Sequence, residues 1–166
     1  MNGFGNKSTK RKKQRQISNQ LIGEAAHKEA LAFHAQGDLS RAENAYNQAI
    51  TAGYVNESIF SNLGVIYQNS GRPKQAIKLY KKALEINPNH SSSYVNLGSV
   101  YKDLGNFDQA LDSILKSLKI NPNNSIALLN LSNIYKSVGN HDKALAAILK
   151  SLRFDPYNPN AFITLG

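Results

Sequence analysis

Residues 91–124 read SSSYVNLGSVYKDLGNFDQALDSILKSLKINPNN, and the neighbouring segments follow the same pattern at one constant offset along the chain. Asn-Leu-Gly begins at Asn62 and again at Asn96, and Asn130 begins the variant Asn-Leu-Ser. Further positions keep the offset that separates Asn62 from Asn96: Tyr67, Tyr101 and Tyr135; Gly71, Gly105 and Gly139; Ala76, Ala110 and Ala144; Pro88, Pro122 and Pro156. A fixed period of this length indicates a solenoid of stacked helical units, which offers a binding surface instead of a catalytic pocket.

Each repeat has the pattern of two amphipathic helices joined by a tight turn. In residues 57–90, Ile59, Leu63 and Ile66 recur at helical spacing. Gly71 follows at the position where a helix end favours a left-handed residue. Pro73 then stands near the start of the next helix, where its missing N–H costs nothing. The sequence therefore predicts an all-α protein built from antiparallel helix pairs.

Small residues at repeated positions predict where the helices pack closely. Gly64 and Gly98 would let one helix approach another, and Ala110 would receive a neighbouring helix. Asn106 is predicted to be the N-cap of a second helix, with Gln109 placed for a capping-box contact.

The repeated residues resemble the tetratricopeptide repeat family. The resemblance implies a right-handed superhelical solenoid over residues 23–166, with units 23–56, 57–90, 91–124 and 125–158 and a partial fifth unit, 159–166. The first unit is the most divergent, with Ala30 and Tyr54 where later units have Gly and Pro. The half-finished fifth unit suggests a fragment or the start of a longer protein. The alternative is a degenerate final helix that covers the stack.

The sequence carries no recognisable catalytic constellation. The absence of Cys excludes disulfides and thiolate metal sites. His27, His34, His90 and His141 follow no metal-ligand spacing, so we interpret them as surface or packing residues. No glycine-rich phosphate loop lies between a strand and a helix. We therefore expect no metal, no cofactor and no enzymatic activity in this chain.

The charge of +9 is concentrated at the N-terminus. Residues 1–16 contain six Lys and Arg and no acid. We predict that residues 1–22 form a disordered basic tail, because they lack the apolar content to fold alone. This tail could contact nucleic acid or an anionic surface, or serve in nuclear import, through Lys10, Arg11, Lys12, Lys13 and Arg15. The alternative is a solvated leader without a partner.

No apolar run in the sequence reaches the roughly 18–20 residues that a membrane-spanning helix needs. The basic N-terminus also lacks the apolar stretch of a signal peptide. We therefore expect no membrane span and a cytoplasmic location.

The family resemblance implies a concave groove lined by the first helix of each unit. The residues assigned to this groove are Ser58, Asn62, Val65, Asn69, Asn96, Ser99, Lys102, Asn130, Asn133 and Lys136, and the same helices add Ser61, Gln68, Ser92, Val95, Asp103, Ile126, Leu129 and Ser137. We name Asn62, Asn96 and Asn130 the amide row. It resembles the asparagine ladder in the superhelix of O-linked N-acetylglucosamine transferases. Lys28 and Thr164 replace Asn in the first and fifth units, so only three rungs are present. The row could instead bond to neighbouring units.

We expect a protein or peptide partner held in an extended conformation, with the chain acting as a scaffold or adaptor. Lys102 and Lys136 would favour an acidic peptide, or could simply aid solubility. The alternative is the substrate-recruiting region of a larger glycosyltransferase- or sulfotransferase-like enzyme. Nucleic acid would bind only through the tail, and the unfinished C-terminal helix offers a route to a homo-oligomer.

Overall fold

The computed structural model describes the backbone of residues 4–165 and the side chains of residues 9–164. Within that range the chain forms helices and turns without strands. The helices are α1 Phe4–Ala35, α2 Leu39–Thr51, α3 Glu57–Asn69, α4 Pro73–Ile86, α5 Ser91–Asp103, α6 Phe107–Ile120, α7 Ser125–Ser137, α8 His141–Phe154 and α9 Pro159–Leu165. The predicted all-α class is confirmed. The helices α3, α5, α7 and α9 begin at equal intervals along the chain, and this interval is the repeat period of the sequence.

The turn inside each helix pair has one geometry. At the end of α3, Gly71 adopts φ +70°, a left-handed conformation that costs glycine little. The N–H of Arg72 then donates to the carbonyl of Tyr67 at 2.8 Å, and Asn106 and Tyr101 repeat this bond at the same distance. This closure satisfies carbonyls that would otherwise be unpaired at the helix end.

The chain divides into two compact units, and the boundary falls inside α3, between Ile59 and Phe60. In the second unit, the core is built from the buried residues of α4 to α8. Its buried members include Ala76, Tyr80, Val100, Ala110, Ile114, Ala127, Ile134 and Ala147. A smaller cluster joins Leu129, Ile148 and Ala161, which packs α9 against α7 and α8.

Close helix contacts occur at Gly64 and Gly98, as the sequence predicts. A Cβ added to Gly64 would lie 2.5 Å from the ring of Tyr80, and one on Gly98 would lie 2.7 Å from Ile114. The Tyr80 side chain is fully buried, and its hydroxyl donates to Oε1 of Gln68 at 2.9 Å. Burial raises the pKa of this phenol well above its ordinary value.

Helix capping differs between repeats in a way that the sequence did not indicate. Asn106 is the N-cap of α6, but its side chain makes no capping hydrogen bond, so the predicted capping contact is wrong. In the next repeat, Oδ1 of Asn140 accepts from the backbone N–H of Lys143 at 3.2 Å. An Asn at a cap position can satisfy its amide elsewhere, and residue type alone does not decide the side-chain rotamer.

In the first unit, α1 and α2 form a hairpin that closes around aromatic rings. A Cβ on Gly23 would overlap Tyr54, which marks the point where α1 meets the chain after α2. The imidazole of His27 lies between Tyr46 and Tyr54, with ring centroids 6.1 Å and 5.6 Å apart. The Nε2 atom of His27 is buried without a hydrogen-bond partner, and burial lowers the pKa of the ring.

The predicted disordered tail is wrong for residues 4–22, which form the N-terminal part of α1. Lys, Arg and Gln are good helix formers, and no Pro or Gly interrupts residues 6–22. Extension from an existing helix avoids the nucleation cost that an isolated segment would face. The prediction from hydrophobic content alone therefore missed the helical structure of this segment.

The length and composition of the described helices bear on the predicted absence of a membrane span. None of them combines the length and the apolar character that a bilayer-spanning helix requires.

We predict that Gly98→Ala destabilises the fold by about 1–3 kcal/mol, because the new methyl group would press on the Ile114 side chain. Urea denaturation followed by circular dichroism would measure the loss. Ser99→Ala, on the adjacent half-buried position, is the control and should change stability little. Equal stability of both variants would contradict the close contact.

We also predict that the first unit loses stability as pH falls through about 6.5, the ordinary pKa of His. The folded pKa of His27 is lowered, so the unfolded chain binds more protons and acid favours unfolding. His27→Gln should flatten this dependence in urea denaturation between about pH 8 and about pH 5.5, whereas exposed His141→Gln should keep it. Identical pH profiles for the two variants would refute the assignment.

Candidate functional site

The amide row lies at one position of three successive first helices, α3, α5 and α7. Asn62, Asn96 and Asn130 are each half-buried, and α5 packs directly against α7. The equal helical position follows from the repeat period, because each first helix begins one full period after its counterpart. The three amides therefore belong to the same face of the second unit.

Two of these amides are not engaged by the residues that the structure describes. Neither Asn96 nor Asn130 forms a side-chain hydrogen bond to another described residue, whereas Asn62 already interacts with a neighbouring group. Among the described residues, the buried side-chain nitrogen or oxygen atom that lacks a hydrogen-bond partner is Nε2 of His27. The polar atoms of Asn96 and Asn130 are therefore in contact with solvent. A side-chain amide offers two donors and an acceptor, so both rungs can pair with a peptide group.

The residues that flank the row differ in how far they reach the surface. Ser99 and Asn133 are half-buried, and Asn69 is exposed at the end of α3. Val65 is half-buried and packs against the core of the second unit. Ser58 is half-buried in the first turn of α3, on the first-unit side of the boundary.

Ser61, Val95 and Leu129 are buried and do not line an open face, so the sequence assignment of these residues is wrong. Their exposed fractions are 4%, 6% and 7%. Val95 belongs to the main core, and Leu129 contacts the cluster that holds α9. Each residue immediately precedes a rung of the amide row, so helical geometry turns it about 100° away from that rung.

The two lysines of the predicted groove have partners inside the chain. The Lys102 amino group lies 2.9 Å from a carboxylate oxygen of Asp103. The Lys136 amino group donates to the carbonyl of Thr164 at 3.1 Å. Nearby Oγ1 of Thr164 lies 3.2 Å from Oδ1 of Asn133, so Asn133 and Lys136 both contact α9.

Thr164 is the member of this face that sequence reasoning passed over. It stands one repeat period after Asn130 and so occupies the next rung position, with a hydroxyl in place of an amide. The period located Thr164 as an equivalent position, but the departure from Asn removed it from the predicted site. The structure shows that its backbone carbonyl, which every residue type supplies, makes the contact with Lys136.

The opposite side of α5 carries a different surface. Tyr94 precedes Asn96 by two residues, which is about 200° around a helix. Tyr94 lines a cleft of about 550 Å³ with Pro88, Asn89, Lys116, Lys119 and Ile120. Lys116 is paired with Asp112 at 2.8 Å, and this hydrogen bond raises the pKa of its amino group. The amide row does not border this cleft.

Tyr67, Tyr101 and His34 are engaged by neighbouring side chains. Tyr67 lies under the guanidinium of Arg72, 3.9 Å from its central carbon, and Tyr101 is buried in the core. His34 approaches the hydroxyl of Tyr46 at 3.4 Å. Residues 9–164 contain no group of three His, Asp or Glu side chains placed to hold a metal ion.

The comparisons with known proteins agree with this architecture. The profile of the family described as tetratricopeptide repeat matches residues 56–123 and 91–156, which is more than half of the chain. The chain belongs to the tetratricopeptide repeat family. Proteins of this family generally mediate protein–protein interactions, and the fold is typically a non-catalytic module. Among curated proteins, nothing matches.

Solved structures similar to this tetratricopeptide protein show the same fold. YrrB, described as a tetratricopeptide protein with an unusual peptide-binding site, is 22% identical, with TM-score 0.74 over 86% of this chain and 74% of YrrB. MamA is 26% identical, with TM-score 0.71 over 82% of this chain and 80% of MamA. PilF of Pseudomonas aeruginosa is 19% identical, with TM-score 0.79 over 89% of this chain and 68% of PilF.

We predict that Lys136→Gln loosens α9 of the tetratricopeptide unit, because the hydrogen bond to the Thr164 carbonyl is lost. Hydrogen exchange of the α9 amides should become several-fold faster, since losing a hydrogen bond from the charged Lys136 ammonium at this exposed site costs about 1 kcal/mol. Lys102→Gln removes a lysine of the preceding repeat and should leave α9 unchanged. Unchanged exchange in α9 of Lys136→Gln would contradict the proposed contact.

Proposed function

We propose that the chain is a protein-interaction module whose second unit holds an extended peptide segment along the amide row. The observation that carries the proposal is the pair of half-buried, unengaged amides of Asn96 and Asn130 on adjoining helices. Their donors and acceptors complement the N–H and C=O groups of a peptide main chain. The peptide-binding site attributed to YrrB is consistent with this assignment.

The charge distribution favours recognition of the main chain over recognition of acidic side chains. Lys102 has Asp103 as its partner, and Lys136 is bound to the Thr164 carbonyl. The remaining members of the face offer neutral hydroxyl and amide groups, such as Ser99. A face made mostly of neutral polar groups would accept many peptide sequences, which suits a scaffold or adaptor.

The helical framework would lower the entropic cost of binding a peptide. Asn96 follows the buried Val95 and precedes the buried Leu97, so packing on both sides fixes the direction of its side chain. A rigid, preformed row loses little conformational entropy when a peptide binds. The peptide itself would have to be ordered, so we expect moderate affinity.

The test is to select peptides on the full chain from a random library and to measure binding by calorimetry. Replacing both amides, Asn96→Ala with Asn130→Ala, should weaken binding roughly tenfold or more, since each amide contributes one or two hydrogen bonds. Tyr94→Ala, on the opposite side of α5, is the matched control and should bind normally. Equal binding by the double variant, with normal circular dichroism, would reject the proposal.

Main-chain recognition can be tested on the selected peptide. N-methylation of single backbone amides should weaken binding at the positions that face the row, because each methyl group removes a donor. Alanine substitutions in the same peptide should be better tolerated. The reverse pattern, with sensitive side chains and tolerated N-methylation, would contradict recognition of the main chain.

A further inference from the structure

Residues 9–22 of α1 form a helical segment with exposed side chains on all sides. We name residues 9–22 the basic arm. Every side chain from residue 9 to residue 22 is exposed. The hairpin of the first unit closes at Gly23, where α1 meets Tyr54. The groove described above involves none of these residues.

The cations of the basic arm are not neutralised by the described part of the chain. Lys10, Arg11, Lys12, Lys13 and Arg15 form no ion pair with any described residue. The first acidic residue of the sequence is Glu24, and the amide of Gln20 already donates to it at 3.1 Å. Like charges at this density repel one another, so an anionic partner would relieve a local cost.

Successive residues of a helix are rotated by about 100°, so Lys10, Arg11, Lys12 and Lys13 point in four different directions. An anionic membrane binds helices that have an apolar face beside the basic one. Residues 10–15 contain no apolar side chain, and Ile17, Leu21 and Ile22 all lie further along the arm. The charge distribution therefore suits a partner that surrounds the helix instead of a flat surface.

The shape and composition of the basic arm favour duplex DNA over single strands and duplex RNA. Single strands are held by aromatic side chains on which bases stack, and residues 9–22 contain none. The major groove of duplex RNA is too deep and narrow for side chains to read. The major groove of B-form DNA is about 12 Å wide and admits an α-helix, and phosphates line both of its edges.

The charge spacing also matches a DNA duplex. The six residues from Lys10 to Arg15 rise about 9 Å along the helix axis. A DNA duplex carries one phosphate charge per about 1.7 Å of its axis, which gives about five charges over the same length. Five cations therefore face a similar number of phosphates, an arrangement that positions a helix without reading base sequence.

We propose that the basic arm binds double-stranded DNA, lying in the major groove and contacting the phosphates of both edges. The binding is electrostatic and independent of base sequence. It is separate from peptide binding by the amide row, so either activity can fail without the other.

The experiment uses the full chain and a fluorescein-labelled DNA duplex of mixed sequence and two helical turns, about 21 bp. Fluorescence anisotropy between about 50 and 200 mM salt should give a slope of log K against log salt near −4 to −5, because five cations release counterions. This slope corresponds to a loss of affinity of several hundred-fold across the series. A slope near zero would overturn the proposal.

Two variants with equal charge separate the basic arm from general positive charge. Replacing Lys10, Arg11, Lys12, Lys13 and Arg15 by Gln should abolish binding, and Gln preserves helix propensity. The control removes five exposed cations elsewhere: Lys78, Lys81, Lys119, Lys150 and Arg153. The control should retain most of the affinity and the slope. Equal losses in the two variants would overturn the assignment to the arm.

A third variant tests the helix itself. Gln14→Pro keeps all five cations but interrupts the helix between Lys13 and Arg15. It should bind the DNA duplex at least tenfold more weakly. Unchanged affinity would show that an unstructured basic tail suffices and would overturn groove binding.

Competing ligands decide between anionic partners. The same anisotropy assay would use single-stranded DNA of the same sequence and the matching RNA duplex, and sedimentation would use vesicles of equimolar phosphatidylcholine and phosphatidylserine. The DNA duplex should bind most tightly. Tighter binding to any of the other three would overturn the proposal and identify the partner class instead.

Discussion

The close contact between a first helix and a second helix at one small residue is the constraint on which the repeat depends. Gly98 allows Ile114 to approach within a distance that a Cβ would block, and Gly64 does the same for Tyr80. In the next pair, Ser132 occupies the position and donates its hydroxyl to the carbonyl of Ala144 at 2.8 Å. Because interiors are close-packed, a small residue here fixes both the separation and the rotation of the two helices.

The fixed rotation also determines which residues become functional. Once the buried side of α5 is held, Asn96 emerges two residues from Tyr94 and on the opposite surface. The same arrangement in α7 places Asn130 beside it, since the two helices are in direct contact. A binding face thus arises from packing that is needed for stability, and its side chains require no separate support. On that face Lys102 is paired locally with Asp103, whereas Lys136 keeps its positive charge and is bonded to the Thr164 carbonyl.

The first unit follows different rules from the repeats of the second. Its hairpin is closed by Tyr46, Tyr54 and the buried ring of His27, and α1 continues beyond the hairpin as an exposed helix. Burial among these aromatic rings lowers the pKa of His27, whereas the core of the second unit contains Ala, Ile and Tyr. The cations that lack acidic residues nearby in the sequence are concentrated at the N-terminal end of the first unit.

The sequence alone determined the helical pairs, their regular period, the left-handed glycine turns and the small residues at helix contacts, because these depend on local backbone preference and periodicity. It did not determine which neighbours of the amide row are buried. Ser61, Val95 and Leu129 are buried, and burial depends on how helices pack in the tertiary structure. It also did not show that the amino group of Lys136 would bind Thr164. This hydrogen bond uses the backbone carbonyl of Thr164, which the residue type does not indicate. Only tertiary structure decided these points, because contacts between distant segments are set by packing and not by the residues alone.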